Sequence, residues 1–317
     1  MSKETFININ KKLNGLMGVL TPIGVCIGLL LGSRVSGLKP IVTYLFAFVT
    51  FSGALGMKVT DFSYLKKKPS SVAVAIASSH ILMPLIVYGL TSLIFSDKKD
   101  TIMGFILLYS NPTAVVSYIW CSIFLGNEIL SLSLILLSTL LAPVVTPFTV
   151  KLLTSTNVQI DTTGMMLSLL YMVVIPSILG VAINTLSKGK ADKEINLYLK
   201  PFTKLALILV SIINTSQVAG RLTLDASLLL IAALNIFLAF LGFFLGYYMA
   251  KLFKMSDEDT VSLSYAVGLR NISAALVLAV SFFPPDSSVP VLIGITIQQV
   301  IASAFGTFMF AKKRAKK

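Results

Sequence analysis

The sequence predicts an all-α integral membrane protein, on three observations. The mean hydropathy is +0.88. Of the 317 residues, 56% are hydrophobic and only 12% are charged, whereas about a quarter of the residues in an ordinary soluble domain are charged. Ten apolar runs are each long enough to cross about 30 Å of hydrocarbon as a helix. These observations predict ten transmembrane helices in a single integral membrane domain, residues 1–317.

Each predicted helix is an apolar run that ends at charged or turn-forming residues. In chain order, the predicted spans are 13–32, 40–57, 70–95, 101–125, 129–153, 163–186, 202–220, 226–250, 260–283 and 287–311. The first span follows a polar, basic start and carries no small-residue cleavage pattern. We therefore expect it to be retained as a helix rather than removed as a signal peptide.

The basic residues predict the orientation of the chain. Ten spans put both termini on one side, which carries nineteen lysines and arginines against six on the other; with Arg270 these make up the chain's 26. Because the positive excess lies on the cytoplasmic side, we predict a multi-pass protein of the cell membrane with both termini cytoplasmic. The net charge of +13 is then a topology signal with contact to anionic lipids, and it does not indicate nucleic acid.

A polar connection at 187–200 divides the spans into five plus five, as 13–153 and 163–311. An odd number of spans in each half gives the halves opposite orientations. This is the inverted repeat of many secondary transporters, in which broken helices at corresponding places mark the binding site. Asn111 in the fourth span and Asn271 in the ninth correspond, so we expect these two spans to be broken and to face each other near the membrane midplane.

The ninth span contains Arg270, a permanent cation about eleven residues into the apolar run 260–283. A charge at the bilayer centre costs at least about 2.5 to 3.5 kcal/mol, and all thirteen acids lie in loops, tails or segment ends. We therefore predict an anionic ligand for Arg270, with Asn271 and Ser273 beside it, and Gly268 is expected to let the backbone leave the helix. The alternative is that Arg270 caps backbone carbonyls or extends to an interface.

The fourth span is interrupted at 109–113. Pro112 removes a backbone donor and disfavours helix at Asn111. We expect Asn111 and Thr113 to cap a second half-helix, whose N-terminus would favour an anion. The alternative is a simple proline kink that neighbouring helices satisfy.

The single histidine and the two cysteines also lie within predicted spans. His80, the only histidine, lies in the third span. Because an imidazole changes charge near neutral pH, it is the one side chain suited to proton coupling. The other interpretation is a packed, hydrogen-bonded residue. Cys26 and Cys121 lie in apolar spans without CxxC spacing and are interpreted as small buried hydrophobes. No metal site and no obligatory protein partner is predicted.

The residue inventory disfavours other classes of membrane protein. An intramembrane protease needs a Ser/His pair in a suitable motif or two intramembrane aspartates, and the sequence has neither. A channel needs a repeated filter of carbonyls or charges, which is also missing from the sequence.

Several motifs, in order along nearly the whole chain, resemble those of the bile acid:sodium symporter family. They are 53–58, 61–62, 68–69, 111–112, 126–127, 137–147 and 268–276. The resemblance implies ten helices in a panel and a core domain, with the fourth and ninth helices unwound where they cross. It also implies sodium-coupled uptake of small organic anions by alternating access, with substrate contacts at Asn111, Pro112, Thr113, Arg270, Asn271 and Ser273.

The same resemblance implies altered sodium sites. Ser117 and Ser131 match ligands of the family's first site, with Tyr118 where the family has an amide. In the second site the family's glutamate falls on Ala266 and its glutamine on Arg270. A guanidinium repels sodium, so we expect Arg270 to replace that ion. The alternative function is a sodium-independent or proton-coupled carrier or exporter of organic anions on the same fold, and Na⁺ is the only cofactor implied.

Overall fold

The computed structural model describes residues 3–154, 160–217, 219 and 225–314. Across these residues the secondary structure is helical, apart from one isolated β-bridge. The predicted all-α class is therefore confirmed.

Fifteen α-helices run along the described chain. Their bounds are α1 Lys3–Leu31, α2 Lys39–Ala54, α3 Ser63–Lys67, α4 Pro69–Ala77, α5 Met83–Ile94, α6 Lys99–Ser110, α7 Val116–Ile123, α8 Glu128–Leu153, α9 Thr162–Leu169, α10 Ile175–Leu186, α11 Leu197–Ser216, α12 Ala226–Leu252, α13 Asp257–Gly268, α14 Ile272–Phe282 and α15 Ser288–Arg314. Short π-helical stretches join α4 to α5 at Ser78–Leu82 and α9 to α10 at Leu170–Val174.

Six helices in the described part of the chain are long and apolar enough to cross a membrane. They are Pro69–Ile94, Glu128–Leu153, Thr162–Leu186, Ala191–Ser216, Ala226–Leu252 and Pro285–Phe310. The chain is therefore a membrane protein, and the count of ten stays a prediction. Helix α1 begins at Lys3, ten residues before the predicted span. The predicted spans 101–125 and 260–283 are each divided into two shorter helices.

The chain forms two compact units. The first comprises the described residues of Met1–Thr60 and Leu167–Leu222. In it α1 packs on α11 and α2 on α10, at points where a glycine allows close approach. A Cβ at Gly28 would collide with the carbonyl of Ile212, and one at Gly180 would lie 2.7 Å from the carbonyl oxygen of Phe51. Small residues of this kind let membrane helices pack backbone to backbone.

The second unit comprises the described residues of Asp61–Met166 and Thr223–Lys317, and both broken helices lie in it. At one end, the buried carboxylate of Asp259 in α13 pairs with Lys68 Nζ at 2.5 Å and accepts from Asn127 Nδ2 at 2.7 Å. Lys68 and Asn127 are the N-cap residues of α4 and α8. One carboxylate therefore joins the starts of three helices.

Candidate functional site

The first break separates α6 from α7. Asn111 is extended (φ −70°, ψ 158°), as expected of a residue before proline. Its side chain donates to the carbonyl of Leu107 at 2.7 Å, and Thr146 of α8 donates to the carbonyl of Ser110 at 2.8 Å. These bonds satisfy carbonyls at the end of α6. The expectation that Asn111 and Thr113 cap α7 is wrong, because Val115 is the N-cap and no side chain caps that helix.

The second break separates α13 from α14. Leu269 is extended (φ −104°, ψ 118°), and Asn271 caps α14 by accepting from the backbone N–H of Ala274 at 3.2 Å. Gly268 is still the last residue of α13, and it is not among the residues with positive φ. Its function is close approach instead, since a Cβ there would overlap the ring of Phe243.

The two breaks cross through an antiparallel β-bridge between Thr113 and Arg270. Ala114 N–H donates to the carbonyl of Leu269 at 3.1 Å, and Asn271 N–H donates to the carbonyl of Pro112 at 2.8 Å. The Thr113 hydroxyl adds a bond to the carbonyl of Ala266 at 3.0 Å. Main-chain hydrogen bonds therefore hold the two broken helices together at the crossing.

Side chains from two further helices complete the backbone bonding. The amide of Gln298 on α15, oriented to match its partners, accepts from the Arg270 N–H at 2.7 Å and donates to the Arg270 carbonyl at 3.2 Å. On the Thr113 side of the bridge, the Thr113 N–H donates to Ser138 Oγ of α8 at 2.9 Å. Backbone groups that would otherwise be unpaired in an apolar environment are thereby bonded.

The Arg270 side chain is buried, with 1% exposed. Nη2 donates to the carbonyl of Ser79 at 2.6 Å and Nη1 to the carbonyl of Asn111 at 3.5 Å, whereas Nε has no partner. Ser79 lies in the π-helical stretch Ser78–Leu82. Among the described residues no acid pairs with Arg270. The capping of carbonyls that the sequence left open is therefore present, and the guanidinium is engaged inside the unit.

His80 follows Ser79, whose carbonyl accepts from Arg270, in the same π-helical stretch. It is 4% exposed, its Nε2 lies 2.9 Å from Ser138 Oγ, and its Nδ1 has no partner. Ser138 thus links His80 to the backbone of Thr113.

The residues that the resemblance associates with ions lie on α7 and α8, which pack on each other. Ser117 and Ser131 are fully buried, and their hydroxyls have no partner. Tyr118 instead directs its hydroxyl to Glu128 Oε2 at 3.1 Å, in an exposed position. Ser273 is half-buried in the first turn of α14.

Sequence reasoning missed Ser138 and Asp259 as organising residues. Ser138 bonds the backbone of Thr113, 25 positions away in sequence, and no local pattern reveals that link. For Asp259 a local signal existed: it follows Ser256 by three residues, and Ser256 Oγ accepts from the Asp259 N–H at 3.2 Å. This is a helix-start pattern, although it does not reveal the link to Lys68.

Broken helices that meet at one place in the membrane are a recurring feature of secondary transporters. The comparisons agree: the family model described as "Sodium Bile acid symporter family" matches residues 37–225. The chain belongs to this family. It is a transporter and not an enzyme, as the sequence predicted.

Relatives extend the similarity over nearly the whole chain. The protein YbaS of Bacillus subtilis is 38% identical over 92% of this chain and 95% of its own length. The same organism's YocS, described as a sodium-dependent transporter, is 28% identical over 98% of this chain and 97% of its own length. A probable sodium/metabolite cotransporter of rice chloroplasts, BASS2, is 24% identical over 95% of this chain and 72% of its own length.

Proposed function

We propose that this transporter is a secondary active carrier that moves small organic anions across the cell membrane by alternating access. The observation that carries the proposal is the buried Arg270 at the crossing of two broken helices, where no described carboxylate balances its charge. Broken helices also present a positive dipole end at each half-helix start. Both features favour an anionic cargo.

The residues named from the sequence divide into two groups. Asn111, Pro112, Thr113 and Arg270 are buried and mostly bonded within the crossing, so they set its shape and charge. Asn271 and Ser273 are half-buried at the start of α14. The N–H groups of Asn271, Ile272 and Ala274 are already bonded, but the start of α14 still carries the positive end of its helix dipole. We therefore place the cargo's carboxylate beside Asn271 and Ser273.

Sodium fits one of the two ion positions implied by the family. The buried, unpartnered hydroxyls of Ser117 and Ser131 are oxygen ligands of the kind that hard cations take. Tyr118 contributes less, because its hydroxyl is engaged by Glu128. Sodium does not fit beside Arg270, whose guanidinium already occupies the carbonyls of Ser79 and Asn111. There the side chain acts as a resident cation.

The finer architecture is part of the same proposal. Ten transmembrane helices would form the inverted repeats 13–153 and 163–311, with the first unit as the panel and the second as the core. Both termini would be cytoplasmic. Three of the basic residues behind this orientation lie outside the described residues. They are Arg221, Lys316 and Lys317.

The proposal is tested by thermal unfolding of the purified protein with a panel of small carboxylates, each in sodium and in potassium. A ligand that binds only the folded state raises the unfolding temperature. We expect one or more carboxylates to stabilise the protein, with sodium adding to the effect. If no carboxylate stabilises it in either salt, the anion carrier is refuted.

The sodium position has its own variants. Ser117→Ala with Ser131→Ala should lower the sodium stimulation of uptake into proteoliposomes. Ser122→Ala is the matched control, because its hydroxyl bonds the exposed Glu128 and should leave the sodium response unchanged. Equal sodium dependence in the double variant and the control would remove sodium from this position.

A second candidate is a sodium-independent or proton-coupled carrier or exporter of organic anions. The resident cation at Arg270 favours it, because a built-in charge removes the need for one coupling ion. Vesicles with an imposed gradient of either sodium or protons separate the two candidates: cargo accumulation driven only by sodium supports symport, and accumulation without sodium supports the second candidate.

A further inference from the structure

The proposed sodium position has oxygen ligands but no charge of its own. The hydroxyls of Ser117 on α7 and Ser131 on α8 are fully buried and unpartnered. Position 266, where the resemblance places the family's glutamate, is an alanine. Because the affinity of an oxygen site for a hard cation rises with the number of charged ligands, two neutral hydroxyls bind sodium weakly by themselves. A balancing carboxylate is therefore expected nearby.

Two carboxylates act on this position. The thiol of Cys121, one helical turn after Ser117 on α7, lies within the electrostatic reach of both Glu128 and Asp259. Asp259 is already balanced, because it pairs with Lys68 Nζ at 2.5 Å. Glu128 pairs with no base among the described residues. It therefore carries the unbalanced negative charge.

Glu128 is held in place by two hydroxyls of α7. Its Oε1 accepts from Ser122 Oγ at 2.5 Å and its Oε2 from the Tyr118 hydroxyl at 3.1 Å. Glu128 is the first residue of α8, and Ser131 follows three positions later. Side chains at this spacing lie on one face of a helix, about one turn apart. The carboxylate is therefore anchored one turn from a ligand of the sodium position, on the exposed side.

A purely structural role for Glu128 is the alternative. An acid in the first turn favours the start of a helix, and the bonds to Ser122 and Tyr118 join α7 to α8. Neither effect depends on sodium. A response that is specific to sodium therefore separates the charge of Glu128 from its structural role.

We propose that Glu128 supplies the negative charge that sodium requires when it binds at Ser117 and Ser131. This inference rests on the sodium position proposed above and adds the residue that balances the charge of the ion. Coulombic attraction falls only as the inverse of distance, so the carboxylate raises the affinity for sodium without touching the ion. The two serines provide coordination, and Glu128 provides charge.

The test is thermal unfolding of the full-length protein in detergent, titrated with sodium chloride at constant ionic strength, with N-methylglucamine chloride as the balancing salt. Sodium that binds the folded state raises the unfolding temperature saturably. Glu128→Gln keeps an oxygen acceptor for α7 and removes the charge. We expect it to require about fivefold more sodium for the half-maximal shift. An unchanged half-maximal concentration overturns the inference.

Three further variants separate the charge from the structure. Glu128→Asp keeps the charge and should stay within about twofold of the wild-type sodium requirement. Ser122→Ala removes a hydrogen bond to Glu128 and leaves the charge, so the sodium titration should not change. Asp100→Asn is the matched charge control, since Asp100 is also an acid in the first turn of a helix of the second unit, α6. A shift in any of the three as large as that in Glu128→Gln overturns the inference.

The same titration distinguishes this inference from the sodium position itself. A wild-type shift that Ser117→Ala with Ser131→Ala abolishes, but that Glu128→Gln leaves intact, keeps the sodium position and removes only the role of Glu128. The absence of any saturable sodium shift in the wild-type protein overturns both.

Discussion

The guanidinium of Arg270 donates to the backbone carbonyl of Ser79 at 2.6 Å, across 191 positions of the chain. This bond ties the crossing to the π-helical stretch Ser78–Leu82, where the helix geometry changes. Arg270 thus supplies both a charge and a tie between two irregular segments. The predictions below separate these contributions.

Replacing Arg270 tests the charge and the geometry together. Arg270→Ala removes the resident cation and leaves the carbonyls of Ser79 and Asn111 without this donor, so we expect transport to be lost. Arg270→Lys keeps the charge but lacks the planar fork that reaches two acceptors, so transport should be impaired. The measurement is uptake into proteoliposomes. Arg34→Ala, at an exposed position in the first unit, is the matched control and should leave uptake unchanged. Unchanged uptake in Arg270→Ala would show that Arg270 is not needed for transport.

Ser138→Ala should destabilise the protein by about 1 to 3 kcal/mol, because it leaves buried polar groups of Thr113 and His80 unpaired. The matched control is Ser264→Ala. Ser264 is also fully buried in the second unit, but its hydroxyl bonds only a carbonyl of its own helix, Thr260, at 2.8 Å. Chemical or thermal unfolding compares the two variants, and equal losses would mean that the link through Ser138 is unimportant.

His80→Gln should retain the pH profile of transport while lowering its rate. A proton on His80 would add a second buried positive charge near Arg270, with no described carboxylate to balance it. The hydrogen bond to Ser138 instead fits a neutral ring that positions the crossing. Transport measured across a pH series is the readout. A flattened profile in the variant would restore proton coupling through His80.

Asp259→Asn should destabilise the second unit by about 1 to 3 kcal/mol, because the 1% exposed carboxylate accepts from Asn127 and pairs with Lys68, whose side chain is 40% exposed. Asp257 provides the comparison. It pairs with Lys251 at 2.8 Å on the surface, with 62% of its side chain exposed, so Asp257→Asn should cost about 0 to 1 kcal/mol. The unfolding midpoints of both variants are measured at low and high salt. Similar losses of stability would show that the pairing of Asp259 contributes no more than a surface ion pair.

The irregular segments could be predicted because their causes are local. Pro112 forces Asn111 out of the helix, and the uncharged surroundings of Arg270 are visible in the sequence. The partners were beyond prediction because they depend on packing. Asn111 bonds backwards to Leu107 rather than capping α7, and Gly268 makes room for Phe243 rather than bending the chain. Gln298 meets Arg270 only once α15 has docked.

The expected ligand of Arg270 shows the same division. The sequence shows that Arg270 lies in an uncharged apolar run and needs a partner. It does not show which of the guanidinium's nitrogens that partner would bind. Two nitrogens take carbonyls of the fold, and only Nε stays available. The sequence could not divide these roles, because carbonyl positions follow from the breaks in other helices.

The bridge between Thr113 and Arg270 also bears on how cargo preference can change over evolution. The bonds that close it on either side run from main chain to main chain, and Pro112 takes part through its carbonyl, so the missing proton on its nitrogen costs nothing. The main-chain bonds of the junction therefore tolerate other side chains at 112 and 271, whereas Ser138 and Gln298 must stay polar because they bond the backbone groups of Thr113 and Arg270 that the junction leaves over. A change of cargo would spare these two residues and fall on the side chains that do not hold the crossing together.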